Sequence, residues 1–276
     1  MRALIVGGSG MVGSLILPAF CEKYAGDGSA GVRVLDIRPP LSVAPGACEY
    51  HQGSATDIEA VKEALRGFGA DDVLIYLAMG PLAGWGEPEN VAAHFDAGVK
   101  GLYLTIDAAA EVGVRHVVYT SSLSMYNHDR NAGQRFFGDE ALVPDAYDFY
   151  GLTKRFGEAI CEAFCRRIPG FSTNALRLCL PRPLAEWEDT IRRTPDAYFA
   201  FVATAAPDVA DAYLRAVDRR FGGFQAFTIS GDVEERYAGT RKARSILGWK
   251  PAYSRATVVS LGDSLGDSLG DSRGGS

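Results

Sequence analysis

Tyr150 and Lys154 stand four apart in the run Tyr-Gly-Leu-Thr-Lys. On a helix that spacing puts both side chains on one face, a turn apart. A phenol ordinarily titrates near 10, so a phenolate base at neutral pH needs a drop of about three units, roughly 4 kcal/mol of differential stabilisation. A neighbouring ammonium supplies much of that, and the same Lys154 can hold a ribose hydroxyl. Ser122 closes the strand expected at 114–122 and offers a hydroxyl that can bond both a substrate oxygen and the phenol. Ser121 and Ser124 compete with it for that role. Together these groups suit acid–base catalysis at a hydroxyl or carbonyl carbon.

Such chemistry needs a hydride carrier, and the N-terminus provides a place for one. Gly7-Gly8-Ser9-Gly10-Met11-Val12-Gly13 follows the apolar run Ala3-Leu4-Ile5-Val6 and opens a helix. Gly7 allows the tight turn, Gly10 lets backbone approach a pyrophosphate, and Gly13 lets the helix pack close to the strand. The helix N-terminus adds free N–H groups and a positive dipole end. Asp36 closes Val32-Arg33-Val34-Leu35-Asp36, 23 residues after Gly13. That spacing suits a carboxylate accepting hydrogen bonds from the adenosine ribose, and it favours NAD over NADP. Arg38, two residues on, keeps NADP in view, because a guanidinium pairs with a 2′-phosphate.

These residues must be positioned by strands and helices. The pattern predicts strands at 2–6, 32–36, 47–52, 73–78, 114–122 and 172–180, and helices at 12–24, 57–66, 89–112 and 147–167. Thr56 or Asp57 caps the second helix. Strand and helix alternate, which predicts an α/β, doubly wound parallel sheet with ligands beyond the carboxyl ends of the strands. Gly7, Asp36, Ala78, Ser122 and Leu180 all fall at such ends. The glycines in 79–88 make that loop a candidate flexible rim, and 127–147 reads as a polar loop. Beyond 180 the pattern is weaker, with a helix at 208–219, a strand at 224–230 and a helix at 238–247. The division expected is therefore a dinucleotide-binding domain at 1–180, a small substrate-binding lobe at 181–259, and a disordered tail at 260–276, where Leu-Gly-Asp-Ser repeats three times.

Composition narrows the class. The chain has 276 residues, 47% of them hydrophobic, and a net charge of −6. Mean hydropathy is −0.01 and the pI is about 5.3. A nucleic-acid binder would carry a basic face, and no run approaches the roughly 18 apolar residues of a membrane span. No signal-peptide pattern opens the sequence, so a cytoplasmic setting is expected. Five cysteines without metal-type spacing and four isolated histidines predict buried free thiols and no metal site.

The sequence resembles the extended short-chain dehydrogenase/reductase, or NAD-dependent epimerase/dehydratase, family over residues 1–252. The resemblance rests on the GxxGxxG at 7–13, Asp36, the Tyr-Thr-Ser-Ser-Leu-Ser-Met-Tyr segment at 119–126, Tyr150 to Lys154 with Glu158, 177–181, Asp208-Val209-Ala210 and Leu247-Gly248-Trp249-Lys250-Pro251. It implies a Rossmann-type sheet, Tyr150 as acid/base, Lys154 as its activator and ribose ligand, and Ser122 as donor to the substrate oxygen. It further implies NAD contacts from Gly7, Gly10, Met11, Val12, Gly13, Asp36, Ile37, Arg38, Ser54, Ala55, Leu77, Ala78, Met79, Tyr150, Lys154 and Leu178. Homodimers built from the helices at 89–112 and 147–167 are implied as well. Three positions depart from the family pattern. Leu180 stands where nucleotide-sugar members carry an Asn, Ser54 where many carry an Asp near adenine, and Gly98 where a structural Asn is common. With the short stretch 182–207, Leu180 argues against a bulky diphosphate substrate and toward the compact sugar and uronate dehydrogenases.

The function expected is therefore an NAD(P)-dependent oxidoreductase moving a hydride between nicotinamide and a hydroxyl or carbonyl carbon of a small sugar-like substrate. The alternatives are a nucleotide-sugar epimerase/dehydratase that retains NAD, and a non-catalytic NAD-sensing protein.

Overall fold

The computed structural model describes residues 1–24, 31–127, 137 and 140–258. The repeat tail at 260–276 and most of 127–147 lie outside the described residues. Seven parallel strands form one sheet: β1 (Ala3–Val6), β2 (Val32–Asp36), β3 (Glu49–Gln52), β4 (Val73–Tyr76), β5 (His116–Ser122), β6 (Ser172–Leu178) and β9 (Gly223–Ile229). Their spatial order is β3-β2-β1-β4-β5-β6-β9. The chain winds outward from β1 to β3, then crosses back and winds the other way from β4. The crevice lies where that direction reverses, between β1 and β4. A short parallel pair, β7 (Pro181–Arg182) and β8 (Thr204–Ala205), stands apart from the sheet.

The central strands β1, β4, β5 and β6 are buried on both faces, while the edge strand β3 is only partly covered. Alternate residues serve separate cores. Ala3 and Ile5 join Phe20 on α1 (Met11–Lys23) and Tyr213 on α8 (Ala206–Asp218). Leu4 and Val6 face the other way, with Val61 on α2 (Ile58–Ala64), Ile106 on α4 (Leu102–Glu111) and Phe164 on α5 (Phe149–Arg167). Asp57, not Thr56, caps α2, accepting from the backbone N–H of Glu59 and Ala60.

Two expectations need correction. The helix at 89–112 is three pieces: α3 (Pro88–Phe95), a π-helical turn (Asp96–Gly101) and α4. Gly98 sits in the π turn, where an added Cβ would lie 3.3 Å from Cβ of Thr153 on α5. The boundary at 180 is also crossed by the sheet. Residues 223–229 pair with β6 along its whole length, and α8 packs on α1, so both belong to the main layer. Among the described residues, α6 (Leu184–Arg193), α7 (Tyr198–Val202) and the β7–β8 pair remain for the lobe, whereas Ala243, Leu247 and Trp249, in the segment after Ile229, join the core beneath α1 and α8. The reason is chain length: α8 is a full crossover helix, long enough to return the chain to a parallel seventh strand.

His116 opens β5 fully buried, and its Nε2 is 2.9 Å from the carbonyl of Ala216. Burial depresses its pKa to about 4. The neutral form is therefore preferred in the fold, while the unfolded chain takes its proton near 6.5. The stability this group contributes is complete above 6.5 and is lost as pH falls toward 4, at a cost of about 3 kcal/mol. Urea denaturation of wild type and His116→Gln at pH 7 and pH 4.5 should show a markedly shallower pH dependence for the variant.

Candidate active site

One cavity of about 1060 Å³ runs along the carboxyl ends of the strands. Neighbouring strands lie about 4.8 Å apart, so Asp36 at the end of β2 and Ser122 at the end of β5 are separated by three spacings, roughly 14 Å. The cavity thus has an Asp36 end and a Ser122 end, with the glycine turn between them.

At the turn, Gly7 has φ +83, and an added Cβ would lie 2.6 Å from the backbone nitrogen of Ala78. Only glycine fits between β1 and β4 there. Gly10 is the N-cap of α1 and brings no capping side chain. The first turn of that helix, with Met11 and Val12, therefore faces the cavity uncapped. Both oxygens of Asp36 are oriented by backbone donors: Ser9 N reaches Oδ2 at 2.9 Å and Arg38 N reaches Oδ1 at 3.2 Å. Each oxygen keeps acceptor capacity for a diol. An uncapped helix N-terminus over a side-chain-free cradle, one strand from a doubly anchored carboxylate, fits the pyrophosphate and ribose of a dinucleotide.

Ile37, Arg38, Ser54, Ala55, Leu77, Ala78, Met79 and Leu178 line the same cavity. Gly13 does not. It lies beneath the turn, where an added Cβ would be 2.1 Å from the Gly8 carbonyl oxygen. Its place is in the packing of helix on turn. Ser54 Oγ is engaged with Thr56 Oγ1 at 2.8 Å, within the loop ahead of α2.

At the other end, Ser122, Tyr150 and Lys154 share the cavity wall. Lys154 is on α5, buried, and its Nζ donates to the Thr120 carbonyl at 2.9 Å. That nitrogen sits 5.6 Å from the centre of the Tyr150 ring. Ser122 accepts from the Ser124 backbone N–H at 3.1 Å, and its hydroxyl is near enough to the Tyr150 phenol to favour the phenolate. The rival Ser121 is committed elsewhere: it donates to Glu158 Oε1 at 2.6 Å. Glu158 also holds Arg177 in a two-point ion pair, Nε–Oε1 at 2.9 Å and Nη2–Oε2 at 2.7 Å. Arg177 Nη1 continues to the Tyr126 phenol at 2.7 Å. This buried network braces β5, β6 and α5 behind Ser122, Tyr150 and Lys154.

The electrostatics differ from the expectation that Lys154 pulls the phenol down. Burial raises Tyr150 above its ordinary value; the Ser122 bond lowers it and Asp148 raises it. Burial also depresses Lys154 to about 8, against the upward pull of Glu158. At each group burial outweighs the neighbours that oppose it, Ser122 at Tyr150 and Glu158 at Lys154. In this state Tyr150 carries its proton at neutral pH, as a donor to a carbonyl oxygen must.

Several residues in the wall escaped the sequence reading. Trp85 lies 5.4 Å from the Tyr150 ring, 4.9 Å from Phe149 and 5.1 Å from His94. Its loop is tied rather than free: Asn90 Nδ2 donates to the carbonyl of Ala83 at 2.9 Å and also bonds Pro81, and His94 Nε2 lies 3.3 Å from the Pro81 carbonyl. Leu180 adopts φ 40 in the left-handed region, at a cost of order 1–3 kcal/mol. The strained turn delivers Pro181 and Arg182 to the cavity. Among the described residues no group of three or more His, Cys, Asp or Glu could hold a metal, and no helix is long and apolar enough to cross a membrane.

Comparison with protein families matches residues 3–181 to the model of the NAD dependent epimerase/dehydratase family. Comparison with curated protein sequences returns no match. Among solved structures, a short-chain dehydrogenase/reductase superfamily protein from Agrobacterium tumefaciens with bound NAD is similar, at TM-score 0.74 and 18% identity, with 98% of each chain covered. A mutated uronate dehydrogenase gives TM-score 0.71 at 20% identity, covering 95% of this chain and 86% of that one. A UDP-glucose 4-epimerase from Thermotoga maritima, with UDP-glucose, gives 0.70 at 17% identity, covering 96% and 100%.

Proposed function

We propose that this chain, which belongs to the NAD-dependent epimerase/dehydratase family, is an NAD-dependent oxidoreductase acting on a hydroxyl or carbonyl carbon of a small substrate. The observation that carries this is the convergence of Ser122, Tyr150 and Lys154 on one cavity wall that also contains the glycine turn and Asp36. NAD, when bound, supplies the hydride acceptor or donor. Asp36 holds its adenosine ribose, the N-terminus of α1 its phosphates, and Lys154 its second ribose. Asp36 favours NAD, and Arg38 leaves NADP as the second choice.

Tyr150 gives its proton to the substrate oxygen in reduction and takes it back in oxidation. Ser122, fixed by the Ser124 N–H, donates to the same oxygen and stabilises the charge that develops there. The arrangement supports turnover with cofactor release over the retained-cofactor chemistry of an epimerase. Leu180 offers no amide to a diphosphate, and the segment from β7 to β8 is short. A homodimer is part of this reading. Tyr103 on α4 and Phe156 on α5 are 43% and 45% exposed, apolar surface on the two helices expected to pair. A cytoplasmic setting accords with five cysteines free of disulfides.

The test is direct. The purified protein, freed of nucleotide, is mixed with NAD and a panel of aldoses, uronates, hydroxy acids and secondary alcohols, and followed at 340 nm. Net NADH release with at least one class is expected. NAD that copurifies, together with substrate epimerised and no net NADH, would replace this reading with the epimerase one. A silent panel with unchanged NAD binding in Tyr150→Phe would point to the NAD-sensing alternative.

A further inference from the structure

Arg182 is a side-chain cation that the hydride-transfer scheme leaves unused. It lines the cavity and is half-buried, and among the described residues it has neither a hydrogen-bond nor an ion-pair partner. The other cations of the wall are occupied or distant: Lys154 belongs to the reactive group, and Arg38 is at the Asp36 end. Arg182 is held by the β7–β8 pairing, immediately after the left-handed turn at Leu180. A guanidinium kept half-buried and unpaired has a fixed planar fork and no countercharge.

The cavity that Arg182 shares with Ser122, Tyr150 and Lys154 has a largely apolar and aromatic part. Trp85, Phe137, Leu180, Tyr198, Phe199 and Val202 line it. Among the described residues these side chains suit an apolar body better than the several hydroxyls of a sugar. The planar fork of one guanidinium pairs two-point with one carboxylate and balances its single charge.

We propose that Arg182 is a specificity-determining residue that binds a carboxylate, and that the substrate class is a hydroxy or oxo acid with an apolar, aromatic-sized body. This rests on the oxidoreductase reading above, and narrows its substrate away from sugars. No chemistry is added. The carboxylate pairs with the guanidinium, the apolar body lies against the Trp85 and Phe199 side of the wall, and the carbinol or carbonyl carbon meets Ser122 and Tyr150.

The experiment measures binding apart from turnover. Benzoate, phenylacetate and 3-phenylpropionate, each beside its neutral amide, are titrated into the full chain with saturating NAD. Fluorescence from Trp85 reports occupancy of the wall, with a Trp85→Phe control because Trp187 and Trp249 are buried elsewhere. At least one acid should bind ten or more times more tightly than its amide. Arg182→Met should erase that preference, with amide affinity held within twofold and the melting temperature unchanged. Glucuronate should bind more weakly than the best aromatic acid. Equal binding of acids and amides, a preference that survives in Arg182→Met, or tighter binding of glucuronate would each overturn the proposal. NADH formation from phenyllactate and mandelate is recorded in parallel. Acid-selective binding without turnover of any panel member would sink the oxidoreductase reading while leaving the carboxylate site standing, and turnover confined to neutral alcohols or sugars would do the reverse.

Discussion

Tyr150→Phe is expected to lower kcat by about 10³-fold while leaving the NAD dissociation constant within twofold of wild type. The phenyl ring keeps the packing against Trp85 and His94, so the loss isolates the hydroxyl. That oxygen is the group proposed to exchange a proton with the substrate, and Ser122, which accepts from the Ser124 N–H and keeps its own proton, is left to donate a hydrogen bond to the same substrate oxygen. The direction of the pKa shift adds a second readout. Burial holds the phenol protonated, which is the active form for carbonyl reduction and the inactive form for alcohol oxidation. Oxidation by wild type should therefore climb as pH rises from 7 to 9, while reduction should not climb over that range. In Tyr150→Phe the climb should be gone. Parallel pH–rate profiles in the two directions check this; a residual oxidation rate with an unaltered pH slope would assign the proton to another group.

The fold was largely legible where the determinants are local. The run Ala3 to Val6 followed by Gly7 fixes a strand and a left-handed turn within five residues, and Asp36 ends an equally plain apolar strand. Non-local pairing was not legible. Nothing in 223–229 announces whether that strand joins β6 or a separate lobe; the choice is made by α8, which packs against α1 far away in the chain. The π turn at 96–101 was hidden for a related reason, because apolar periodicity does not register one extra residue in a turn that packs on Thr153. At the site, residue types gave Tyr150, Lys154 and the glycine turn, but left three serines in competition. The bond from Ser121 to Glu158 sets Ser121 apart, and the nearness of Ser122 to the Tyr150 phenol distinguishes it from Ser124. Trp85 and Arg182 carry no motif at all. Their significance comes from being brought to the same wall as Tyr150, which only the folded chain displays. Spacing on a helix reports that Lys154 lies near the phenol and says nothing of solvent, and it is burial that raises the phenol here.

The glycine turn supplies the second large effect, and it separates two roles that the sequence merges. Gly10 and Gly13 sit three apart in the same motif, yet only Gly10 lines the cavity. A Cβ on Gly13 would lie 2.1 Å from the Gly8 carbonyl oxygen and 2.4 Å from its carbon. Those are backbone atoms of the turn itself, so no side chain can rotate away; α1 must lift off the turn or the turn must deform. Overpacking of this kind costs about 3 kcal/mol, and Gly13→Ala should lower the melting temperature by roughly 6 °C for a chain of this size. At Gly10 a Cβ meets only the Gly7 carbonyl oxygen, at 3.3 Å, and the backbone is extended there, with φ −79. Gly10→Ala should therefore fold almost as well as wild type, losing up to about 1 kcal/mol because alanine is a poor N-cap. The added methyl group instead enters the space where the phosphates approach the helix N-terminus, and NAD affinity should fall by tenfold or more. Calorimetric melting and NAD titration of both variants test the pair together. A Gly13→Ala protein with wild-type stability would show that the helix can move away freely, and a Gly10→Ala protein with wild-type NAD affinity would mean that the phosphates do not pass over that residue.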